Sequence, residues 1–513
     1  MIRILLIAAT LAAALPAAEK QTPFESPSAP TPHGKLDDLV FAQWQRLGIQ
    51  PAQLCSDTVF VRRAYVDIIG TLPTAAEASA FLADPDPAKR SVLIDRLLDR
   101  DEFADYWATK WSDILRVKAE FPINLWPNAA QAYYHWLRSS IQANKPYDQF
   151  ARELLTASGS NFRTAPVNFY RAMQNREPQG IAQTVALTFM ATRLEKWPAD
   201  RQSGMAAFFA QVGYKDTDEW KEQIVFFEPA KKAGSPVFPD GTPARIGPGQ
   251  DPREAFAAWL TAPRNPWFAR AIVNRVWSWL LGRGIVQEPD DLRADNPPEN
   301  PELLSYLEQE LVASHYDLKH IYRLILNSAA WQLSPVPRAD PALAAAHFAA
   351  YPLRRLDAEV LIDAITQVTG AGETYSSSIP EPYTFMPDFQ PAIALPDGSI
   401  SSSFLEEFGR PARDTGVEAE RNNRVTDSQR LHMLNSSHVL RKIQQGPKLQ
   451  AMMRDIKPPQ ELIRQLYLTI LSRPPSDDEW KLVAAHSQNV RGQPAVVDLV
   501  WALFNSTEFL YRH

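Results

Sequence analysis

Apolar residues recur at helical spacing along most of this chain. Leu36, Leu39, Val40, Trp44 and Leu47 fall on one face, and Gly48 follows as a stop. Phe60, Ala64 and Ile68 continue the pattern on a second helix, and Trp107 and Trp111 lie one turn apart, the spacing of core neighbours. Helical periods run on to about residue 213. Residues 228–250 (EPAKKAGSPVFPDGTPARIGPGQ) break them: rich in Pro and Gly, they read as a connection between domains, with room for a short hairpin. A second helical region runs from 252 to about 369. Residues 370–403 then form a long irregular stretch, and such loops inside compact domains are functional or disordered. From 404 to 513 the pattern is helical again. The prediction is a mainly α fold: two packed helical domains, 36–227 and 251–513, with long irregular loops and little or no β-sheet.

The start of the chain differs. Arg3 precedes an apolar run from Ile4 to Leu15, and Ala12 to Ala18 offers small residues for cleavage. Residues 1–18 therefore read as a signal peptide, too short for a comfortable membrane span. A polar, Pro-rich linker follows at 19–35. Export to the periplasm or the extracellular space is expected, with no transmembrane segment after signal cleavage. Cys55 is the one cysteine, which excludes an internal disulfide and a cysteine-based metal or haem site within one chain. The 513 residues carry a formal net charge of −6 with both signs interspersed. Nucleic acid is therefore not an expected partner, since a basic footprint is missing.

Two distant segments resemble each other. In AYVDIIGTLPTAAEA, Tyr65, Ile68, Pro73, Thr74 and Glu77 match Tyr467, Ile470, Pro475, Ser476 and Glu479 of LYLTILSRPPSDDEW. Each carries a capping-box signature, a hydroxyl residue followed three positions later by Glu. Downstream, LLDRDEF (97–103) parallels LFNSTEF (503–509). One helix–turn–helix unit thus opens and closes the chain, or both segments share a common hairpin grammar.

Candidate chemistry concentrates at 265–296. In the helix 267–281, Arg270, Asn274 and Ser278 are spaced by four on an otherwise apolar cylinder, with Arg275 beside them. A helix apolar nearly all round is buried, so this stripe must meet partners: a satisfied structural network first, a ligand-facing strip second. The following turn carries Glu288, Asp290, Asp291, Arg293, Asp295 and Asn296. Such carboxylates suit acid–base work or calcium, although the spacing is not that of an EF-hand loop; turn and cap roles suit them equally. The nine histidines form no zinc pattern, and HExxH, GxSxG and P-loop motifs are absent. Arg354, Arg355, Arg410, Arg413, Arg421 and Arg424 gather in the last third, with Glu418 and Glu420 interleaved. Arginine forks suit carboxylate, sulfate or phosphate groups, and equally suit interdomain salt bridges. Carboxylates standing free in a cleft beside Arg421 and Asn435 would favour an enzyme; the same side chains spent in buried ion pairs would favour a scaffold.

These residues also resemble a known family. FVRRAYVDIIGTLPTAAEASAFL (60–82) and KRSVLIDRLLDRDEFADYWATKWSDILR (89–116) are similar to a cytochrome-associated domain of unknown function in exported proteins of planctomycetes and their relatives. NPWFARAIVNRVWSWLLGRGIV (265–286), DDLRADNPPENPELLSYL (290–307), FLEEFGRPARDTGVEAERNN (404–423) and LHMLNSSHV (431–439) resemble the planctomycete-specific domain paired with it. The resemblance covers about 36–513. Many members carry a C-x-x-C-H element, the pattern for attaching c-type haem. Here FMATRLEKWPADRQSGMAAFFAQV (189–212) lacks it, and a later C-x-C-type element is replaced by Val417, Glu418 and Ala419. No cofactor is expected. The resemblance and these losses imply a non-catalytic exported protein binding a glycan or an exported partner protein between its domains. A polysaccharide hydrolase or lyase using Asp290 and Asp291 with Arg421 is the alternative, and electron transfer ranks last.

Overall fold

A computed structural model describes residues 23–386 and 388–513; the expected signal peptide and residues 19–22 of the linker lie outside the described residues. The chain is mainly α-helical, and its first described helix, Lys35–Leu47, ends at Gly48 in the left-handed conformation, as the spacing predicts. Two small sheets complete it. In the first, β1 (Gly159–Ser160), β2 (Val212–Asp216) and β3 (Gln223–Phe227) pair antiparallel in the order β1–β3–β2, with Val212 opposite Phe227 and Asp216 opposite Gln223. In the second, β4 (Arg354–Arg355) pairs with β5 (Tyr511–Arg512), which draws the chain's last residues into its middle. Residues 228–250 are irregular apart from a small hairpin closed by a bridge between Val237 and Pro243. Among the described residues of the stretch 370–402, the one helical element is the 3-10 turn Ala392–Ala394, and a helix begins at Ser403.

One apolar core runs through both halves. Trp107 and Trp111, on the helix Asp101–Leu115, bring their rings to 5.4 and 5.9 Å from Trp279 of the second half, and Trp107 lies 4.5 Å from Tyr322. Large aromatic rings bury the most apolar area per side chain, so this cluster locks the halves together. The helix Phe268–Leu281 is the pillar between them: every residue from Phe268 to Leu281 except Arg270 is buried. It ends at Gly282, whose φ of 71° few other residues adopt easily. A Cβ there would lie 2.5 Å from Cδ of Arg354, which passes across the helix end and donates to the carbonyls of Trp279 (3.1 Å) and Leu280 (2.7 Å).

The sequence repeat forms two hairpins that touch. The first joins the helices Asp57–Ile68 and Ala75–Ala83; the last joins Pro459–Leu471 and Asp477–Asn489. Both capping boxes are complete, at Thr74 with Glu77 and at Ser476 with Glu479. Gly70 and Ser472, at matching positions in the turns, both have positive φ, 67° and 61°. The helix Pro459–Leu471 packs against Ala75–Ala83. Arg62, buried on the first hairpin, donates to the carbonyls of Ile470 (2.7 Å) and Phe509 (2.9 Å) in the last. Its neighbour Arg63 donates to the carbonyl of His513 at 2.8 Å.

Candidate functional site

The polar stripe of the pillar helix meets partners, as its burial requires. Asn274 clamps the next turn: its amide donates to the Val286 carbonyl (3.0 Å) and its oxygen accepts the Val286 N–H (2.9 Å). Arg270, at the partly exposed edge, pairs with Glu308 at 2.6 Å. Ser278 faces a groove at the interface of the halves. Arg275 is fully enclosed. It pairs with Asp290 at 2.7 Å and donates to the carbonyls of Leu187 (2.6 Å) and Thr188 on the helix Pro178–Met190 of the first half. The other Asp290 oxygen accepts the Glu418 N–H at 2.6 Å. Asp290 is therefore spent on structure and holds three segments together.

Most of the rest of the acidic turn is also committed, although Glu288 is exposed at the groove and forms no ion pair. Asp291 is shared by Lys196 (3.4 Å) and Arg293 (3.1 Å), and Arg293 reaches Asp295 at 3.2 Å. Asn296 donates to the Asp291 carbonyl at 3.0 Å. No carboxylate pair stands free here for acid–base work. Among the described residues, no group of three or more His, Cys, Asp or Glu side chains is placed to hold a metal ion.

The turn instead separates two concavities. On one side, Gln287, Glu288 and Pro289 form part of the groove, of about 830 Å³, between the halves. On the other, Val286, Leu292, Arg293 and Asn296 line a pocket of about 490 Å³.

The floor of the groove is an ionic network that crosses between the halves. Asp357 accepts from Lys110 (2.8 Å) and Arg512 (2.8 Å), from the Tyr106 hydroxyl (3.1 Å) and from Asn423 (2.6 Å). Arg512 also pairs with Asp67 at 2.8 Å. Arg421 bridges Asp113 (2.6 Å) and Glu359 (2.8 Å), Arg413 pairs with Asp113 at 3.0 Å, and Arg410 approaches Glu359 at 3.7 Å. Burial alone would raise both Asp357 and Glu359. The charges of Lys110 and Arg512 hold Asp357 well below the usual carboxylate range, and Arg421 holds Glu359 at about 2. Removing one member would strand a buried charge, which costs several kcal/mol, about 3–5 in comparable cases.

Three arginines in the groove wall form no ion pair with a carboxylate. Arg354 is spent on helix-end carbonyls and the Tyr351 hydroxyl; Arg355 is nearly enclosed, lies 5.3 Å over the Phe408 ring and donates to the carbonyls of Phe408 (2.5 Å) and Asn422 (3.3 Å); the side chain of Arg424 is exposed and without a partner. Glu418 stands opposite. Burial pushes its carboxyl up, Lys110 opposes that, and one oxygen accepts the Trp279 indole N–H at 2.8 Å.

The sequence candidates are thus divided. Arg421 and Arg413 belong to the ionic floor. Glu420 is folded back onto the N–H groups of Asp414 (2.9 Å) and Thr415 (3.0 Å). Asn435 is exposed on the helix Asp427–Asn435 and does not line the groove. Lys110, Asp113, Asp357, Glu359 and Arg512 were not singled out from sequence. The available signal was polar side chains, Lys110 and Asp113, on a helix whose Trp107 and Trp111 already marked it as core.

The segment 189–212 does not fit a covalently attached haem. It holds no cysteine, and Cys55 is buried elsewhere.

Two family models match the chain. PSCyt2, a protein of unknown function (DUF1549), matches residues 35–211, and PSD1, a protein of unknown function (DUF1553), matches residues 252–487. The chain thus carries both domains, in the order the sequence resemblance implies. No curated protein and no solved structure matches it.

Proposed function

We propose that this protein, paired from two domains of unknown function, is an exported binding protein that holds an anionic glycan chain in the groove between its halves. One observation carries the reading: Arg354, Arg355 and Arg424 line the groove without carboxylate partners, while the carboxylates beneath are neutralised by Lys110, Arg421 and Arg512. Arginine forks match carboxylate and sulfate groups. Gln287, Asn422, Asn423 and Ser278 add amides and a hydroxyl to the wall, beside Trp279, Leu353 and Tyr511. A hydroxyl-rich chain suits that rim. Among the described residues, no helix is long and apolar enough to cross a membrane. Titration calorimetry with acidic oligosaccharides, their neutral counterparts and an acidic peptide tests the reading. Arg424→Glu is expected to weaken the acidic oligosaccharide about tenfold, or about 1.4 kcal/mol. Equal affinity for the neutral chain would sink the proposal, and preference for the peptide would move it to a protein partner.

A second reading, a polysaccharide hydrolase or lyase, rests on Glu418 rather than on Asp290 and Asp291. Its carboxyl is raised by burial and lines the groove, as a proton donor would. New reducing ends or unsaturated products from an acidic polysaccharide, abolished by Glu418→Gln, would establish it. No product over prolonged incubation with the wild-type protein would rule it out for that polymer.

A further inference from the structure

Across the turn from the groove lies the pocket of about 490 Å³. Its walls come from the segment 193–201 of the first half and from residues 266–298 of the second. Two half-buried indoles face each other there, Trp197 and Trp267, with ring centroids 6.0 Å apart and planes at 40°. The guanidinium of Arg201 covers one face of Trp197 at 4.6 Å. No acidic side chain lines the pocket.

The basic residues around it are not equally occupied. Lys196, Arg270 and Arg293 are paired with Asp291, Glu308 and Asp295, which do not line the pocket. Arg193 has no side-chain partner, and Arg201 donates only to the carbonyl of Pro239. Positive charge therefore exceeds negative charge where the indoles are exposed. Ligand pockets combine aromatic walls with a few polar groups that fix orientation, and this one offers the partly exposed surfaces of two indoles, Trp267 being backed by Trp259, and two guanidinium groups without acidic partners.

We propose that this pocket binds a pyranose ring carrying an anionic substituent, a carboxylate or a sulfate. The indoles take the apolar face of the ring, and Arg193 and Arg201 take the anion. The site is separate from the groove and stands whether or not the groove binds a ligand.

The test is titration of the full chain, by calorimetry and tryptophan fluorescence, with four probes. These are a sulfated disaccharide, a uronate-containing disaccharide, a neutral disaccharide and inorganic sulfate. At least one anionic disaccharide is expected to bind and shift the emission. The neutral disaccharide and inorganic sulfate are expected to bind about tenfold more weakly or not at all. Which anionic disaccharide binds assigns the substituent. Arg193→Gln is expected to weaken that binding about tenfold without altering thermal unfolding, since Arg193 has no partner to lose. Trp197→Leu should remove most of the emission shift. Arg424→Glu in the groove should leave this binding unchanged, which separates failure here from failure there. The proposal is overturned if no disaccharide binds, if the neutral one binds as well, if inorganic sulfate alone binds as tightly, or if Arg193→Gln has no effect.

Discussion

The first and last hairpins share one local grammar but differ in how far their second helices are buried. The first helices, Asp57–Ile68 and Pro459–Leu471, are both largely buried, but the second helix of the first hairpin, Ala75–Ala83, buries Ala78 and Phe81, whereas its equivalent Asp477–Asn489 has no buried residue. Yet both contain the same clamp, an arginine between two glutamates beneath a tyrosine. Arg100 bridges Glu77 (2.9 Å) and Glu102 (2.5 Å), 5.7 Å from the Tyr65 ring. Arg473 bridges Glu479 (2.7 Å) and Glu508 (2.7 Å), 5.8 Å from the Tyr467 ring. The glutamates and tyrosines occupy matching positions, but the arginines do not. Arg100 stands where the last hairpin has Ser506, and Arg473 where the first has Thr71. The charge arrangement is retained while the residue that completes it comes from the other end of the unit. This favours a true repeat over shared hairpin grammar, because generic capping explains the hydroxyl–glutamate pairs and not a third, displaced cation.

Three measurements break or sharpen that comparison. The largest effect is expected at the equivalent pair Phe81 and Val483. Phe81 is buried and stacks on Phe60 at 5.7 Å, so Phe81→Ala should cost about 3 kcal/mol in denaturant unfolding. Val483 lines an open apolar groove, and Val483→Ala should cost less than about 1 kcal/mol. Equal costs would mean the two hairpins are equally supported.

The clamps come next. Side-chain exposure is 11% for Arg473 and 12% for Glu508, against 32% for Arg100 and 35% for Glu102. Arg473→Met is accordingly expected to cost about 2 kcal/mol and Arg100→Met less than about 1. The pH dependence sharpens this. Burial would raise both Glu77 and Glu479, but hydrogen bonds hold them below 4.5, chiefly from Thr74 for Glu77 and from Arg473 for Glu479. A carboxyl depressed in the fold stabilises it above its unfolded value, and that contribution fades as pH falls through the folded value. Arg100 likewise holds Glu102 low, so unfolding followed from about pH 5 down to about pH 3 should show a shallower loss in both Arg473→Met and Arg100→Met than in wild type. Parallel curves for all three would contradict the assignment of Arg473. The smallest difference between the hairpins belongs to the caps: Thr74→Ala and Ser476→Ala should each cost about 1 kcal/mol, because the local bonds are the same.

Local features proved legible where a short segment contains all their determinants. The pillar helix was expected at 267–281 and spans Phe268–Leu281; its demand for polar partners followed from Asn274 and Arg275 alone. The acidic turn was harder. Asp290 and Asp291 look equally suited to catalysis, calcium or structure in sequence, since their partners Arg275, Lys196 and the Glu418 N–H arrive from three separate segments. The candidate sites were less legible still. Lys110 and Asp357 are 247 residues apart, and the indole of Trp197 acquires its meaning only beside Trp267.

By itself, the sequence determined the helical class, the capping boxes, the repeated hairpin, and the absence of a C-x-x-C-H element. Each depends on neighbours within a few turns, where spacing is set by backbone geometry. Tertiary structure alone decided which charges are spent and which remain available. Asp357, Glu359 and Asp113 are neutralised by Lys110, Arg512, Arg413 and Arg421 because both halves close on them, whereas Arg193 and Arg424 are left without acidic partners. Coulomb energy depends on distance and burial, and for residues hundreds of positions apart only the packed fold sets either one.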